Sequence, residues 1–269
     1  MRRDVADISL ADAIFAPHYA APLARSVNSA SVMLHTAPDD AAPAGSQLLH
    51  GEAFHVLDRS GGWAWGYCGH DHYVGYVRDE ALGEFAVPTH VVCGREAIIF
   101  AEPDIKSPSL MTLSLGARLD GKLDGDFLAT PMGFVHKRHV AAVDERHGDF
   151  VETAFRLIGA PYLWGGRGAG GVDCSGLVQL ALALAGLDCP RDSDQQRRSL
   201  GRALDPDESP ERGDLIFFPG HVGLMVDDLN LLHANAWWMA VTVEPLADVS
   251  GRIAQTHEQP VLSRRRIGS

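Results

Sequence analysis

The chain has 269 residues, of which 46% are hydrophobic and 22% charged, and its formal net charge is −12 at pH 7. This is the composition of a globular protein, and the length allows one large domain or roughly two to three small ones. The negative charge disfavours nucleic acids and anionic membrane surfaces as partners, because both attract basic proteins. It permits a small or zwitterionic substrate.

Residues 1–24 form a leader of poor periodicity, in which we expect a short helix around residues 10–15. The start is basic, but Asp4, Asp7 and Asp12 interrupt any apolar run of the kind found in a secretory signal. No stretch approaches the roughly 20 apolar residues that cross a bilayer. We therefore expect a cytoplasmic protein that does not bind membranes.

Residues 25–85 and 86–143 both consist of short strand-like runs separated by turns. The order of elements repeats, because Gly51 corresponds to Gly116 and GYVRDEAL, from residue 75, corresponds to GFVHKRHV, from residue 133. The two offsets, 65 and 58 residues, differ because the loops differ in length. We predict two small SH3-like β-barrels. The alternative is two sheet-rich stretches that share turn chemistry by chance.

From residue 144 onwards the pattern changes to helices followed by strands. A first helix ends near Gly159, and a second begins near Cys174 and ends at Gly186. Strand-like runs follow at 214–218, 221–226 and 231–236. Helices followed by an antiparallel sheet predict an α+β domain over residues 144–269.

Cys174 lies where the second helix begins, in the sequence GGVDCSGLVQLALALAG. The unpaired N–H groups and the dipole of a helix N-terminus favour negative charge, so we expect a lowered pKa for this thiol. Asp173 is placed to cap the helix. The alternative is a small buried residue that happens to begin a helix, since cysteine is often buried.

His221 opens one strand and His233 lies in the next. With Cys174, these residues give the pairing of a thiol peptidase, in which a third side chain orients the imidazole. A three-residue loop between the strands pairs position 223 with 233 and puts both histidines on one face. We therefore predict an odd loop or a bulge between about 226 and 230. Asn235 is the alternative partner of His221.

The other cysteines are Cys68, Cys93 and Cys189, and we expect structural thiols at all three. The four cysteines contain no CxxC pair and no dense framework, so the sequence predicts neither a zinc site nor a disulfide scaffold. The chemistry proposed for Cys174 needs no metal and no cofactor.

Five short motifs resemble, in order, those of the NlpC family of cell-wall cysteine peptidases: PYLWGGRGAGGVDCSGLVQLALALAG, PRDSDQQ, RGDLIFF, HVGLMV and LLHANA. The resemblance covers about residues 145–269, and the preceding repeat looks like the bacterial SH3-type domains that often precede this catalytic domain. The resemblance implies a papain-like core with Cys174 as nucleophile, His221 as base and His233 as the third member.

Family members cleave peptidoglycan stem peptides, typically between γ-D-glutamyl and a diamino acid, either meso-diaminopimelate or lysine. The resemblance implies that Tyr162, in the family's YxWGG segment, lies near the nucleophile and the oxyanion. It implies that Asp173 and Ser175 flank the nucleophile and line the pocket.

In members that trim free murein peptides, an acidic residue and a serine bind the free amino group of L-Ala, and Asp192 and Ser193 match them. Their residue types fit a helix cap equally well. A tyrosine of the first SH3-type domain helps to close that end. Tyr73 is our first candidate, with Tyr76 and Tyr67 behind it, and the alternative for Tyr73 is simple packing in a strand.

We expect a monomeric cysteine endopeptidase that hydrolyses free murein stem peptides carrying an N-terminal L-Ala, in peptidoglycan recycling. One alternative is an exported lysin that acts on intact peptidoglycan. The other is a binding protein without enzymatic activity, whose barrels recognise cell-wall peptides.

Overall fold

The structure is a computed structural model that describes residue 2 and residues 4–145, 148–205 and 207–268. The outermost positions of the predicted leader and peptidase domain, residues 1, 3 and 269, lie outside this range. The chain divides into two compact units, residues 1–145 and 146–269. Within the described ranges, no helix combines the length and the apolar character needed to cross a bilayer.

The described residues of the first unit form strands and three short 3₁₀ helices. Its strands are β1 Val5–Asp7, β2 His18–Ala20, β3 Leu23–Val27, β4 Ser31–His35, β5 Ala44–Leu49, β6 Ala53–Ser60, β7 Trp63–Cys68, β8 Val74–Arg78, β9 Leu82–Glu84, β10 His90–Val92, β11 Glu96–Phe100, β12 Ser109–Ser114, β13 Arg118–Leu119, β14 Lys122–Asp124, β15 Phe127–Thr130, β16 Gly133–His136 and β17 Val140–Ala142. The 3₁₀ helices are Ile8–Leu10, Asp79–Ala81 and Lys137–His139.

Strands β3 to β9 form one antiparallel sheet in the order β5-β4-β8-β7-β6-β3-β9. Alternate side chains along these strands point to one side, where Leu34, Leu48, Phe54 and Val77 are fully buried in a common core. The later strands form a five-stranded sheet, β12-β11-β16-β15-β14, and a three-stranded sheet, β13-β10-β17.

The two halves of this unit repeat the same local features, a glycine of positive φ and a 3₁₀ helix, at the predicted spacings. Gly51 and Gly116 have φ of +73° and +88°, a conformation that glycine adopts without steric cost. The N–H of Gly51 donates to the carbonyl of Val27, and that of Gly116 donates to the carbonyl of Val92. In both halves a 3₁₀ helix joins the last two strands, β8 to β9 and β16 to β17. That each half closes into a barrel stays a prediction.

The short helix expected around residues 10–15 is wrong. The structure has a parallel pair of strands, β1 and β2, and a 3₁₀ helix at Ile8–Leu10 followed by turns. A helix this short is marginal without packing, and here the backbone is held by specific bonds instead. The Asp7 carboxylate accepts from the N–H of Ser9 at 2.8 Å and from the hydroxyl of Tyr67 at 2.6 Å. These bonds attach the predicted leader to β7.

The second unit has helices α1 Phe150–Phe155, α2 Cys174–Leu184, α3 Ser193–Ser199 and α4 Leu246–Ala254. Its strands are β18 Arg167–Gly168, β19 Gly171–Val172, β20 Arg202–Ala203, β21 Leu215–Phe218, β22 His221–Met225, β23 Asn230–Asn235, β24 Ala240–Pro245 and β25 Ser263–Arg266. Six of the strands form an antiparallel sheet in the order β20-β25-β21-β22-β23-β24. Helices α1 to α3 precede the six-stranded sheet, in the order that the α+β prediction gave, and α4 lies between its strands β24 and β25.

Helix α2 is buried on nearly all sides. Leu177, Leu180, Ala181 and Leu184 are buried along one stripe of the helix, and Val178, Gln179 and Leu182 on its other sides are buried as well. The reason is that α2 packs against α1 and α3 and also against β22 and β23, and a helix surrounded in this way is apolar all round. Helix α4 covers the sheet elsewhere, where Val249 packs on Phe218 and Leu231.

Candidate active site

The first residue of α2 is Cys174, and both ends of this helix are fixed by specific bonds. At the start, the Asp173 carboxylate accepts from the N–H of Gly176 at 2.7 Å, as an N-cap. At the end, Gly186 has φ +76° and its N–H donates to the carbonyl of Ala183. The N–H of Leu187 reaches back five residues to the helix, which completes a Schellman motif. The thiol therefore stands on a rigid element.

The start of α2 passes very close to the loop that precedes it. A Cβ placed on Gly176 would lie 2.3 Å from the carbonyl oxygen of Gly166 and 3.0 Å from an Asp173 carboxylate oxygen. The glycine at position 176 is therefore required by the close approach of backbone to backbone. This contact sets the distance between Cys174 and the 161–166 loop.

Cys174 is only 6% exposed, and its environment raises the pKa of the thiol to about 11. Burial is the main cause and the negative charge of Asp173 the second, while hydrogen bonds from the backbone N–H groups of Val222 and Ser175 lower the pKa in part. The expected lowering of this pKa by the helix N-terminus is therefore wrong for the ligand-free protein. The bond from Val222 places the thiol beside the first residues of β22.

The hairpin of β22 and β23 has the predicted register. Leu224 pairs with Leu232, and Met225 pairs with Leu231, so that position 223 lies opposite 233 and residues 227–229 form a three-residue loop. Both histidines lie on one face, and the side-chain atoms His221 Nε2 and His233 Nδ1 are 2.8 Å apart. The prediction of an odd loop is confirmed.

His221 is half-buried, whereas His233 is only 1% exposed. Burial and the neighbouring His233 lower the pKa of His221 to about 3. Burial also lowers the pKa of His233, and Glu244 opposes that shift. The alternative partner, Asn235, instead donates to the hydroxyl of Thr242 at 2.8 Å. Of the two candidates, the structure brings His233 to His221.

Glu244 and Arg252 extend this pair of histidines, and the sequence analysis missed both. Glu244 Oε2 accepts from His233 Nε2 at 2.9 Å, and Arg252 donates to both oxygens of Glu244 at 2.7 and 2.9 Å. Burial opposes ionisation of Glu244, but hydrogen bonds from Arg252, Trp238 and His233 outweigh it and lower its pKa to about 2. The carboxylate therefore stays charged at neutral pH.

A signal for Glu244 was present in the run AVTVEP. This stretch alternates like a strand, and Thr242 pairs with His233 in the sheet. Glu244 lies two residues further on and therefore faces the same side as His233. If β24 had been predicted as a strand, this alternation would have placed Glu244 beside His233.

Asp173 and Ser175 lie on either side of Cys174, as the resemblance implied, and both are buried. Their main partner is Arg191, a buried side chain that the sequence analysis also missed. It donates to the two oxygens of Asp173 at 3.0 and 2.6 Å and to the hydroxyl of Ser175 at 2.9 Å. The contacts therefore anchor the residues around the nucleophile. A direct contact of Asp173 or Ser175 with substrate stays a prediction.

Asp192 and Ser193 directly follow Arg191 in the chain, and both are half-buried. Asp192 occupies the N-cap position of α3, but its side chain makes no capping hydrogen bond. A helix cap was the alternative to amine binding as the role of an aspartate at this position. Because Arg191 is bonded to Asp173 and Ser175, the backbone at Asp192 lies close to the start of α2. Binding of an amine by Asp192 and Ser193 stays a prediction.

Tyr162 is half-buried, and burial together with the charges of Cys174 and Asp173 raises the pKa of its phenol to about 12. The hydroxyl is therefore neutral and able to donate a hydrogen bond near the nucleophile. The N–H of Tyr162 donates to the carbonyl of Met239 at 2.9 Å. This bond ties the tyrosine to the turn between β23 and β24.

The tyrosines proposed from the first unit have different environments. Tyr73 is half-buried, packs on the core of the β3–β9 sheet and lies over Gly45, where a Cβ would be 3.2 Å from its hydroxyl oxygen. Tyr76 pairs with His35 between β8 and β4. Tyr67 donates its hydroxyl to Asp7, which engages it within the first unit. The role of Tyr73 at the amine end of the substrate stays a prediction.

Large apolar side chains are exposed along one edge of the second unit. Trp164 is 67% exposed, and the adjacent residues Trp237 and Trp238 are 66% and 58% exposed. Residues 161 and 240 form a β-bridge that connects the two segments. Clusters of exposed aromatic side chains commonly mark binding surfaces.

The four cysteines, all of which lie in the described ranges, form no disulfide bond. Cys68 is fully buried in the core of the first unit. Cys189 is half-buried, and its thiol donates to the carbonyl of Pro190 at 3.4 Å. Of the four, Cys174 is the one beside the histidine pair.

Two family models match the chain. Residues 159–256 match the NlpC/P60 family, and residues 34–82 match the bacterial dipeptidyl-peptidase SH3 domain. The chain carries an NlpC/P60 domain. This match, with the dipeptidyl-peptidases among its relatives, assigns the protein to the cysteine peptidases, a class of hydrolases. The resemblance on which the sequence prediction rested is confirmed.

Curated relatives of this protein include dipeptidyl-peptidases. It is 29% identical to dipeptidyl-peptidase 6 of Lysinibacillus sphaericus over 241 residues, which cover 79% of this chain and 88% of the relative. It is 32% identical to the γ-D-glutamyl-L-lysine dipeptidyl-peptidase of Bacillus subtilis (strain 168) over 160 residues, which cover 55% of this chain and 52% of the relative. The chain thus matches nearly all of the first relative and about half of the second.

Among solved structures, an NlpC/P60 family protein from Bacillus cereus superposes with a TM-score of 0.76. The superposition covers 91% of this chain and 99% of the other at 22% identity. At this identity the likeness establishes the fold alone, which is an NlpC/P60 fold with an SH3-like domain. Closed barrels and a papain-like helix packing remain predictions.

Proposed function

We propose that this protein hydrolyses the bond between γ-D-glutamate and the diamino acid of free murein stem peptides that carry an N-terminal L-Ala. The observation that carries the proposal is the position of Cys174 at the start of α2. There its thiol accepts the N–H of Val222, next to the histidine pair. The relatives named dipeptidyl-peptidases support the substrate class.

In the first step, the sulfur of Cys174 attacks the γ-glutamyl carbonyl carbon while His221 takes the thiol proton. The carbonyl oxygen becomes an oxyanion. Backbone N–H groups at the start of α2 and the neutral hydroxyl of Tyr162 are the donors proposed for it. The C–N bond then breaks, His221 returns the proton to the leaving amine, and a thioester on Cys174 remains.

In the second step, water attacks the thioester carbonyl while His221 accepts one of its protons. The C–S bond breaks, and the proton returns from His221 to the Cys174 sulfur. From the tripeptide L-Ala-γ-D-Glu-diamino acid, the products are the dipeptide L-Ala-D-Glu, with a free γ-carboxyl group, and the free diamino acid. Each proton that leaves a nucleophile passes through His221, which is why the orientation of this ring decides the rate.

Recognition of the free amine is proposed for Asp192 and Ser193. An ammonium group requires a carboxylate for a strong charge-assisted hydrogen bond. Asp192 is half-buried and directly follows Arg191, whose side chain bonds to Asp173 and Ser175 beside the nucleophile, which supports this use of its carboxylate. Tyr73 remains the proposed residue of the first unit for this end of the peptide. A free-amine requirement fits a cytoplasmic protein that acts on released peptides rather than on the intact wall.

The test compares three substrates by mass spectrometry: free L-Ala-γ-D-Glu-meso-diaminopimelate, the same peptide acetylated at L-Ala, and purified sacculi. The proposal predicts rapid cleavage of the first and at least a roughly 100-fold loss of kcat/KM for the second, because the acetyl group removes a charged hydrogen bond. Sacculi should release no peptide. Equal cleavage of free and acetylated peptide would reject the amine requirement, and release from sacculi would favour the wall lysin.

A further inference from the structure

A continuous line of hydrogen bonds leads from α4 to the proposed base. Arg252 donates to Glu244, Glu244 Oε2 is 2.9 Å from His233 Nε2, and His233 Nδ1 is 2.8 Å from His221 Nε2. Each bond in such a line needs one donor and one acceptor. The protonation state of Glu244 therefore decides which ring nitrogen carries the proton in His233 and, through it, in His221.

The direction of the line follows from the charge of Glu244. An ionised carboxylate only accepts hydrogen bonds, so His233 carries its proton on Nε2. Neutral His233 then offers a lone pair on Nδ1. His221 must donate to it from Nε2, which leaves Nδ1 of His221 unprotonated. That nitrogen is the one free to take a proton from the thiol.

We propose that Glu244, held by Arg252, is a positioning residue that fixes the tautomers of both histidines and so makes Nδ1 of His221 the catalytic base. The inference rests on the proposed role of His221 in hydrolysis. It adds Glu244 and Arg252 to a set of residues that the sequence motifs confine to Cys174, His221 and His233.

The surroundings of Glu244 suit this role. His233 is 1% exposed, and a charge beside such a side chain is costly unless it is paired. Arg252 supplies two bonds to the carboxylate, and its guanidinium lies 5.1 Å from the centre of the Trp237 ring. Trp238 supplies a further hydrogen bond. The carboxylate is therefore both charged and fixed in direction.

The same charge assists the chemical step. When His221 takes the thiol proton it becomes a cation, and its Nε2–H bond to His233 strengthens. The negative charge of Glu244, one imidazole further along, stabilises that cation. A purely structural ion pair between β24 and α4 would have no such effect on the histidines.

The direct test is nuclear magnetic resonance of the ligand-free, full-length protein labelled with ¹⁵N-histidine. Signals are assigned by their loss in His221→Asn and His233→Asn. The proposal predicts a protonated Nε2 and an unprotonated Nδ1 for both rings at pH 7. A proton on Nδ1 of either ring in the wild-type protein would overturn it, and this result depends on no variant of Glu244.

The variant Glu244→Ala should give a mixture of tautomers at both rings and lower kcat by about 10- to 100-fold, with little change in KM, the range known for partners that orient histidine ligands. The matched control is Glu208→Ala, which also removes a carboxylate bonded to an arginine, Arg202, at 2.8 and 2.6 Å. The control should keep both tautomers and kcat. Unchanged tautomers and kcat in Glu244→Ala would overturn the proposal.

If Glu244→Ala does not fold, Glu244→Gln is the second variant, because it keeps the side-chain shape and removes the charge. Its kcat should fall, and wild-type kcat would overturn the proposal. If the wild-type protein cleaves no γ-D-glutamyl peptide, the proposed function fails by itself. The histidine tautomers of the wild-type protein and of Glu244→Ala, whose measurement requires no turnover, then test the role of Glu244 separately.

Discussion

Cys174 and His221 have pKa values displaced in opposite directions, to about 11 and about 3. Both displacements favour the neutral form, because burial penalises the thiolate and the imidazolium alike. Between these two values the resting pair is therefore a thiol and a neutral imidazole. The thiol proton must then move to His221 while the sulfur attacks the substrate. The reaction therefore requires an unprotonated nitrogen of His221 that faces the thiol.

We expect the rate of alkylation of Cys174 by iodoacetamide in the ligand-free protein to rise steeply above about pH 8, without a plateau at lower pH. The reason is that the thiol pKa of about 11 leaves little thiolate near neutrality. Labelling followed by peptide mass spectrometry measures the rate, with Cys189 as the internal comparison. A plateau below pH 7 would show a resting thiolate–imidazolium pair and contradict the account.

The ion pair of Asp173 and Arg191 is buried, with side-chain exposures of 8% and 1%. We expect Asp173→Asn to lower the free energy of unfolding by about 3–5 kcal/mol, because it leaves the guanidinium uncompensated. Urea denaturation of the full-length protein measures the change.

The matched control for this prediction is Asp194→Asn, which removes the carboxylate of an exposed pair with Arg198 one helical turn away. Such pairs contribute about 0.3–0.5 kcal/mol. Equal losses for the buried and the exposed pair would show that Arg191 does not need Asp173.

Among the secondary-structure elements, α2 and the β22–β23 hairpin determine the geometry of the site. The helix fixes the thiol through its cap and its close contact with the loop at Gly166, and the hairpin fixes the two histidines through its register. In the hairpin, Gly223 leaves room for the ring opposite, because a Cβ there would lie 3.0 Å from Cβ of His233.

We expect Gly176→Ala to lower kcat by at least about 100-fold, because the new Cβ would lie 2.3 Å from the Gly166 carbonyl oxygen and displace the start of α2. Gly186→Ala, at the other end of the same helix, is the control. It should cost about 1–2 kcal/mol of stability through its positive φ and leave kcat nearly unchanged. Steady-state kinetics of both variants measure kcat. Equal kcat values for Gly176→Ala and Gly186→Ala would show that the position of the start of α2 does not determine the rate.

The sequence predicted these elements unevenly, for physical reasons. Loop length and side-chain alternation determine the register of a hairpin. The contact between His221 and His233 could therefore be predicted from the number of residues between them. Helix ends carry local signals, such as Asp173 and Gly186. The buried position of Arg191 followed from neither, because charged residues are normally exposed and its burial depends on Asp173 and Ser175, which lie at the start of α2.

At the scale of the whole molecule, the two units have separate tasks in the proposal. The second unit holds all the residues proposed for the chemical steps. The first is matched over residues 34–82 by the SH3 domain of bacterial dipeptidyl-peptidases. The division at residue 145 lies close to the predicted start of the peptidase domain at 144. The closure of each repeat into a barrel was inferred from turn spacing, which does not determine how the sheet edges meet.

For the first unit, we expect Tyr73→Ala to raise KM for the free tripeptide and to reduce the preference over the acetylated peptide by about tenfold, roughly the worth of one hydrogen bond. The value of kcat should change little, because the residue is not proposed for the chemical steps. Kinetics with both peptides measure the effect, and Tyr76→Ala is the control. An unchanged preference in Tyr73→Ala would leave this tyrosine with a packing role alone.

The account depends most directly on Cys174, and one measurement tests it. Wild-type protein, Cys174→Ala and the control Cys189→Ala are each incubated with L-Ala-γ-D-Glu-meso-diaminopimelate, and the products are identified by mass spectrometry. We predict L-Ala-D-Glu and free diaminopimelate from the wild type and the control, and no product above the uncatalysed level from Cys174→Ala. Cleavage by Cys174→Ala at the wild-type rate, or no cleavage by the wild-type protein, would contradict the account.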